Sequence, residues 1–87
     1  MNKIFTNNGW LDYVYWQTED RKTLKKISTL IEDIVRHGNE GIGKPEPLNG
    51  NLVGYWSRRI NDKDRLIYKI NDSNVYILAC RYHYGDK

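Results

Sequence analysis

The sequence predicts an α+β domain: a small, mainly antiparallel β-sheet with two N-terminal helices packed on one face. Three observations lead there. An aliphatic stripe at helical spacing fills much of the first half. Runs of alternating apolar and polar residues fill the second, and a Gly- and Pro-rich stretch separates the two. The 87 residues are read as a single domain, 1–87.

The elements follow in order. Residues 3–5 (KIF) form a short apolar run, read as a first strand. In TNNGWLDYVYWQ, Asn7 or Asn8 is expected to cap a helix that carries Trp10, Tyr13, Val14 and Gln17 on one face. The next stretch, DRKTLKKISTLIEDIVRHG, places Leu24, Ile27, Leu30, Ile31, Ile34 and Val35 on a 3.6-residue stripe. Asp20 is its expected N-cap, and Gly38 after Arg36 and His37 its stop. Lys22, Lys25, Lys26, Glu32 and Asp33 fall on the opposite face, read as solvated, and His37 is read as capping the helix end.

Residues 39–51 (NEGIGKPEPLNGN) read as loop, with a brief strand near Leu48. Three strands are then expected. GYWSRRI sets Trp56 and Ile60 against Tyr55, Ser57 and Arg59. DRLIYKI sets Leu66, Tyr68 and Ile70 against Arg65, Ile67 and Lys69. NVYILACRYHY begins apolar on both faces, so alternation assigns it no face and only its polar tip is expected to emerge from the core. NDKD and NDSN supply the turns.

Composition narrows the function classes. A lone cysteine, Cys80, cannot form an intrachain disulfide; it is read as a small core residue of a cytoplasmic protein. No apolar run approaches a membrane span, and the N-terminus lacks a signal-peptide core, so no membrane partner is expected. The net charge is +3; residues 1–52 carry seven charges of each sign, so the whole excess lies in residues 53–87. Such a field suits a polyanion, either nucleic acid or an acidic protein, and equally a surface charged for solubility.

If the helices cover the apolar face, Arg59 and Arg65 both project from the uncovered one, near each other across a short hairpin. Two guanidinium groups so placed invite an anion such as phosphate. Glu46 stands between Pro45 and Pro47, a carboxylate on a stiffened loop, and pre-positioned as a general base should be. In the last strand His83 shares a side with Arg81, and Tyr84 with Tyr82. A base, paired arginines and a histidine acid are the parts that metal-free RNA transesterification needs. No cofactor is expected: His37, His83 and Cys80 lack ligand spacing, and Gly41 and Gly43 lack the pattern of a phosphate loop.

WLDYVYWQ, GKPEPL, GYWSRRI, RLIY and CRYHY, in this order and spacing from about residue 4 to Tyr84, resemble the YoeB (Txe) family of bacterial toxins within the RelE superfamily. The resemblance implies a ribosome-dependent endoribonuclease that cuts mRNA in the A site of the 70S ribosome. It also implies a YefM-type antitoxin partner, a microbial-ribonuclease-like fold and a homodimer. Carried over by motif, Glu46 is the general base, Arg65 stabilises the phosphate and His83 is the general acid. Arg59, Tyr84 and Lys44 help place the RNA. Asn49 departs from family members that carry a lysine there, and Gly85, Asp86 and Lys87 extend beyond the usual final tyrosine.

Rival functions are a non-catalytic superfamily toxin that binds DNA gyrase, a small ribonuclease that needs no ribosome, and an inert relative that binds only an antitoxin. Cleavage of naked RNA singles out the second.

Overall fold

The computed structural model describes residues 1–82. The chain forms β1 (Asn2–Phe5), α1 (Asn7–Glu19), α2 (Arg21–His37), β2 (Glu46–Pro47), a 3-10 turn (Gly50–Leu52), β3 (Trp56–Arg59), β4 (Arg65–Asn71) and β5 (Asn74–Ala79). The five strands lie in the order β1-β5-β4-β3-β2. β1 runs parallel to β5 and the other three pairings are antiparallel. This is the expected class, with both helices in the crossover from β1 to the hairpins. Among the described residues no helix is long and apolar enough to cross a membrane.

α2 forms as the stripe predicts. The Asp20 carboxylate accepts from the N–H groups of Lys22 and Thr23, and Gly38 ends the helix with its N–H on Ile34 O. Ile27, Leu30, Ile31 and Ile34 are buried against Leu66, Tyr68, Val75 and Ile77 of β4 and β5. That aliphatic layer is the principal hydrophobic contribution to the fold.

α1 differs from expectation at its cap and its face. Thr6, rather than Asn7 or Asn8, is the N-cap: its Oγ1 accepts from Gly9 N at 3.0 Å and donates to Leu78 O at 3.0 Å. The buried residues are Gly9, Asp12 and Trp16, whereas Trp10 is 50% exposed. The apolar residues of α1 run almost all round the helix, so their spacing singles out no face. Close approach to β5 decides instead, because a Cβ on Gly9 would run into the carbonyl of Ile77. Trp10 stacks on Tyr13 and meets the edge of Phe5.

Asp33 is not the solvated residue the pattern suggests. Its Oδ2 accepts from Arg58 Nη1 at 2.6 Å and from Ile42 N at 3.1 Å, while His37, at the last position of α2, lies 3.7 Å from its other oxygen. Arg58 is completely buried. It also donates to the carbonyls of Ile42, Gly38 and Glu40 and to the Tyr68 hydroxyl. The loop after α2 is thereby fastened to the underside of β3.

β5 contains the irregularity that hid its faces. Ile67 pairs with Ala79 but Tyr68 pairs with Ile77, so Leu78 is an extra residue on β5. The bulge moves Cys80 to the helix side, where it joins the core, and leaves Ala79 opposite Ile67. The strand ends at Ala79, and residues 80–82 do not continue it as expected. Cys80 is the core residue expected. Burial, reinforced by the carboxylates of Asp12 and Asp64, pushes its thiol up to about 12, which removes it as a nucleophile at neutral pH.

The Arg58 side chain on the Asp33 carboxyl holds the latter below its ordinary 3.8. A depressed carboxylate contributes stability that is present above the unfolded-state value and lost as pH falls through the folded-state one. Arg58→Ala, which leaves that carboxylate without its partner, is expected to lower Tm by about 12 °C or more. The deficit of Asp33→Asn against wild type should be full at pH 7 and vanish as pH drops well below 3.8. Thermal melts over that pH range check both; a pH-independent deficit would assign Asp33 a role other than its charge.

Candidate active site

The uncovered face of the sheet gathers the charged residues that alternation singled out. Arg59 and Arg65 are directly opposite in the β3–β4 ladder, and the next pair in register on the same face is Ser57 with Ile67. Glu46 pairs with Ser57 across β2–β3, so Glu46, Ser57 and Ile67 form one row beside the arginines. Together with Lys44, Pro47 and Leu48 these residues line a cavity of about 310 Å³. Of the six expected site residues, Lys44, Glu46, Arg59 and Arg65 come together here. His83 and Tyr84 lie outside the described residues.

Local geometry explains how each is presented. Glu46 lies in β2, an extended segment as Pro47 requires of the residue before it, and its side chain is exposed. Two residues upstream Lys44 adopts a left-handed conformation, φ 53°, uncommon for a residue with a side chain. Gly43 O accepts from Arg59 N at 2.7 Å, which locks the loop to β3 at this point. Gly43 is itself left-handed, and a Cβ there would lie 2.8 Å from Leu30 Cδ2. A glycine, a strained lysine and a proline in sequence thus turn the chain into β2 with Glu46 on the cavity side.

The two arginines are held differently. Arg59 is exposed at the end of β3 and no side-chain ion pair reaches it among the described residues. Arg65 Nη1 donates to Asn61 O at 2.6 Å and Asp64 O at 3.0 Å, so its guanidinium is folded onto the β3–β4 turn and still lines the cavity. That turn is itself braced, with Asn61 Oδ1 accepting from Lys63 N and Asp64 N.

Chemically the cavity offers three cations and one carboxylate on a shared wall. Its charges suit a phosphodiester, with a carboxylate at one end and guanidinium donors for the nonbridging oxygens. Residue-by-residue reading missed Arg58 and Asp64, the partners behind this wall. A signal for Arg58 existed: it lies two residues from both Trp56 and Ile60, on the apolar side of β3, where an arginine must find carbonyl and carboxylate partners.

Comparison with known proteins gives a family and a fold. The YoeB-like toxin family of bacterial type II toxin–antitoxin systems matches residues 5–84. Toxin YoeB of Streptomyces coelicolor is 55% identical over 84 residues, 97% of this chain and 100% of its own length. The solved structure of a YoeB/ParE toxin from Agrobacterium tumefaciens superposes with TM-score 0.94 at 41% identity, covering 97% of this chain and 100% of that one. Staphylococcus aureus YoeB, solved as a heterotetramer with YefM and separately as a dimer, gives TM-scores of 0.90 and 0.91. Each is 48% identical and covers 97% of this chain and 98% of its own.

Opposed arginines destabilise a hairpin by a few tenths of a kcal/mol up to about 1 kcal/mol. Arg59→Ala is accordingly expected to leave Tm unchanged or a few degrees higher while weakening retention on a phosphate-bearing resin. A clear fall in Tm would instead assign Arg59 a structural role.

Proposed function

The chain belongs to the YoeB-like toxins of bacterial type II toxin–antitoxin systems, and from that membership we propose that it is a ribosome-dependent endoribonuclease that cuts mRNA in the A site and so halts translation. The observation that carries the proposal is the cross-strand pair Arg59–Arg65 facing the same cavity as Glu46.

In the proposed reaction the Glu46 carboxylate takes the proton of a ribose 2′-hydroxyl. The 2′-oxygen attacks phosphorus, and the bond from phosphorus to the 5′-oxygen breaks. His83, protonated, gives its proton to that departing oxygen, leaving a 2′,3′-cyclic phosphate and a free 5′-hydroxyl. Arg65 stabilises the charge that builds on the nonbridging oxygens. Arg59, Lys44 and Tyr84 place the RNA, with the tyrosine ring able to stack on a base. The partners proposed are a YefM-type antitoxin and a second copy of the toxin, in keeping with the assemblies named for the S. aureus relative. The 70S ribosome supplies mRNA with its A-site codon displayed.

Primer extension on a defined mRNA, either programmed on 70S ribosomes or free, tests this. A cut at the A-site codon only on ribosomes is the expected result. His83→Ala and Arg65→Ala should each lower single-turnover cleavage by about 10²-fold or more without loss of fold, and Glu46→Ala should impair it. Cleavage of free RNA alone would keep the chemistry and remove the ribosome. No cut by folded protein would favour a non-catalytic toxin, and unchanged activity in Glu46→Ala would remove Glu46 from the mechanism.

A further inference from the structure

After β5 the chain leaves the sheet, yet its backbone polar groups are taken up one by one by other parts of the protein. Cys80 N donates to Asp12 Oδ2 at 3.0 Å, and Cys80 O accepts from Trp16 Nε1 at 2.8 Å. Tyr82 N donates to Asp64 Oδ1 at 2.7 Å, and Tyr82 O accepts from Arg65 N at 3.0 Å. Asp12, Trp16 and Asp64 are each at most 9% exposed. Between the two clamped residues the Arg81 guanidinium lies 3.4 Å from the centroid of the Tyr15 ring. Tyr82 itself is left-handed, φ 67°, a conformation that persists in a tyrosine only where surrounding contacts over-determine it.

This is a costly way to finish a strand. Two carboxylates are buried close enough to oppose each other, and burial together with Asp64 raises the Asp12 carboxyl above its ordinary value. Apolar side chains would cover the same ground with less desolvation. What the carboxylates supply, and apolar groups cannot, is directional fixing of two N–H groups. The second of these lies one residue before His83.

Asp64 is also placed to do two things at once. Its carboxylate holds the Tyr82 amide, and its own carbonyl accepts from Arg65 Nη1 at 3.0 Å. One residue therefore references both the arginine and the chain entering His83 to a single turn.

The geometry points to Asp64 as a positioning residue for the cleavage reaction: its carboxylate, through the Tyr82 amide, fixes the backbone one residue before His83 to the turn on which its own carbonyl holds Arg65. Asp12 and Trp16 form the other half of the clamp, at Cys80. The inference rests on the reading of His83 as the general acid, and its test separates the two.

Two measurements on purified protein and programmed ribosomes decide it. Without ribosomes, the Tyr82 amide of the wild-type protein should be protected from hydrogen exchange. In Asp64→Ala that protection should fall about tenfold or more, while Tyr68 in β4 keeps its own. In cleavage, Asp64→Ala should lose about 10²-fold in kcat with KM for programmed ribosomes little changed. Asp64→Asn retains an acceptor oxygen and should recover most of the loss. Asp64→Ala combined with His83→Ala should be no slower than His83→Ala alone.

Three outcomes would overturn the assignment: an unprotected Tyr82 amide in the wild type, folded Asp64→Ala with wild-type kcat, or an Asp64 effect undiminished in the His83→Ala background. Equal loss in the Asn and Ala variants would also overturn the hydrogen-bond clamp. If Asp64→Ala does not fold, wild-type amide protection and the Asn variant still decide. Full cleavage by His83→Ala, with Asp64 intact, would instead remove the general-acid reading and this inference with it.

Discussion

The buried guanidinium of Arg58 is the contact on which the arrangement of this protein depends. It accounts for the conformation of a loop that has little apolar surface of its own. Five hydrogen bonds, one of them an ion pair with Asp33, join β3 to α2, to the loop after it and to β4. A buried arginine is unfavourable in isolation, and one with its donors satisfied by three carbonyls, a carboxylate and a hydroxyl is not. The loop can thus be short of hydrophobic residues and still enter β2 at a fixed place. Glu46 inherits its position from that anchor, four residues past Ile42, the last contact Arg58 makes in the loop.

The cavity above this anchor is built from groups that work against local stability. Arg59 faces Arg65 directly across the hairpin, and Lys44 holds a left-handed backbone at the cavity's rim. Neither arrangement would survive on a loosely held sheet edge, because like charges opposed in a ladder and strained backbone each favour opening. The aliphatic layer of α2 beneath β4 and β5, and the bracing of the turn by Asn61, supply the compensation. An anion bound between the arginines would relieve the repulsion directly.

Much of this was legible in the sequence where one physical pattern dominated. The stripe of α2 admits one face, so its core residues and Asp20 cap follow. Alternation in β3 and β4 places Arg59 and Arg65 on the open side, and the two prolines around Glu46 announce an extended, stiff segment. Legibility failed where two patterns competed. In α1 the apolar residues surround the helix, and the deciding fact was steric, the absence of a side chain at Gly9. In β5 the extra residue at Leu78 reversed the parity that any alternation argument needs. Asp33 looked solvated because its partner, Arg58, is 25 residues away in the chain.

The pairs Arg58–Arg59 and Asp64–Arg65 show how the competing demands are met. Adjacent residues around a strand point to opposite sides, so a charged dipeptide places one member under the sheet and one above it. Arg58 fastens the loop from below while Arg59 faces the cavity. Asp64 fastens the chain end at Tyr82 while Arg65, next to it, lines the cavity wall. In each pair a support and a working group are separated by a single peptide unit, whose rigidity leaves little room for one to move without the other. A substitution at a supporting position is then read out at its neighbour, although the substituted side chain never faces the cavity. That coupling is why the roles of these charged residues cannot be sorted by exposure alone: the buried member of each pair sets where the cavity-lining one lies.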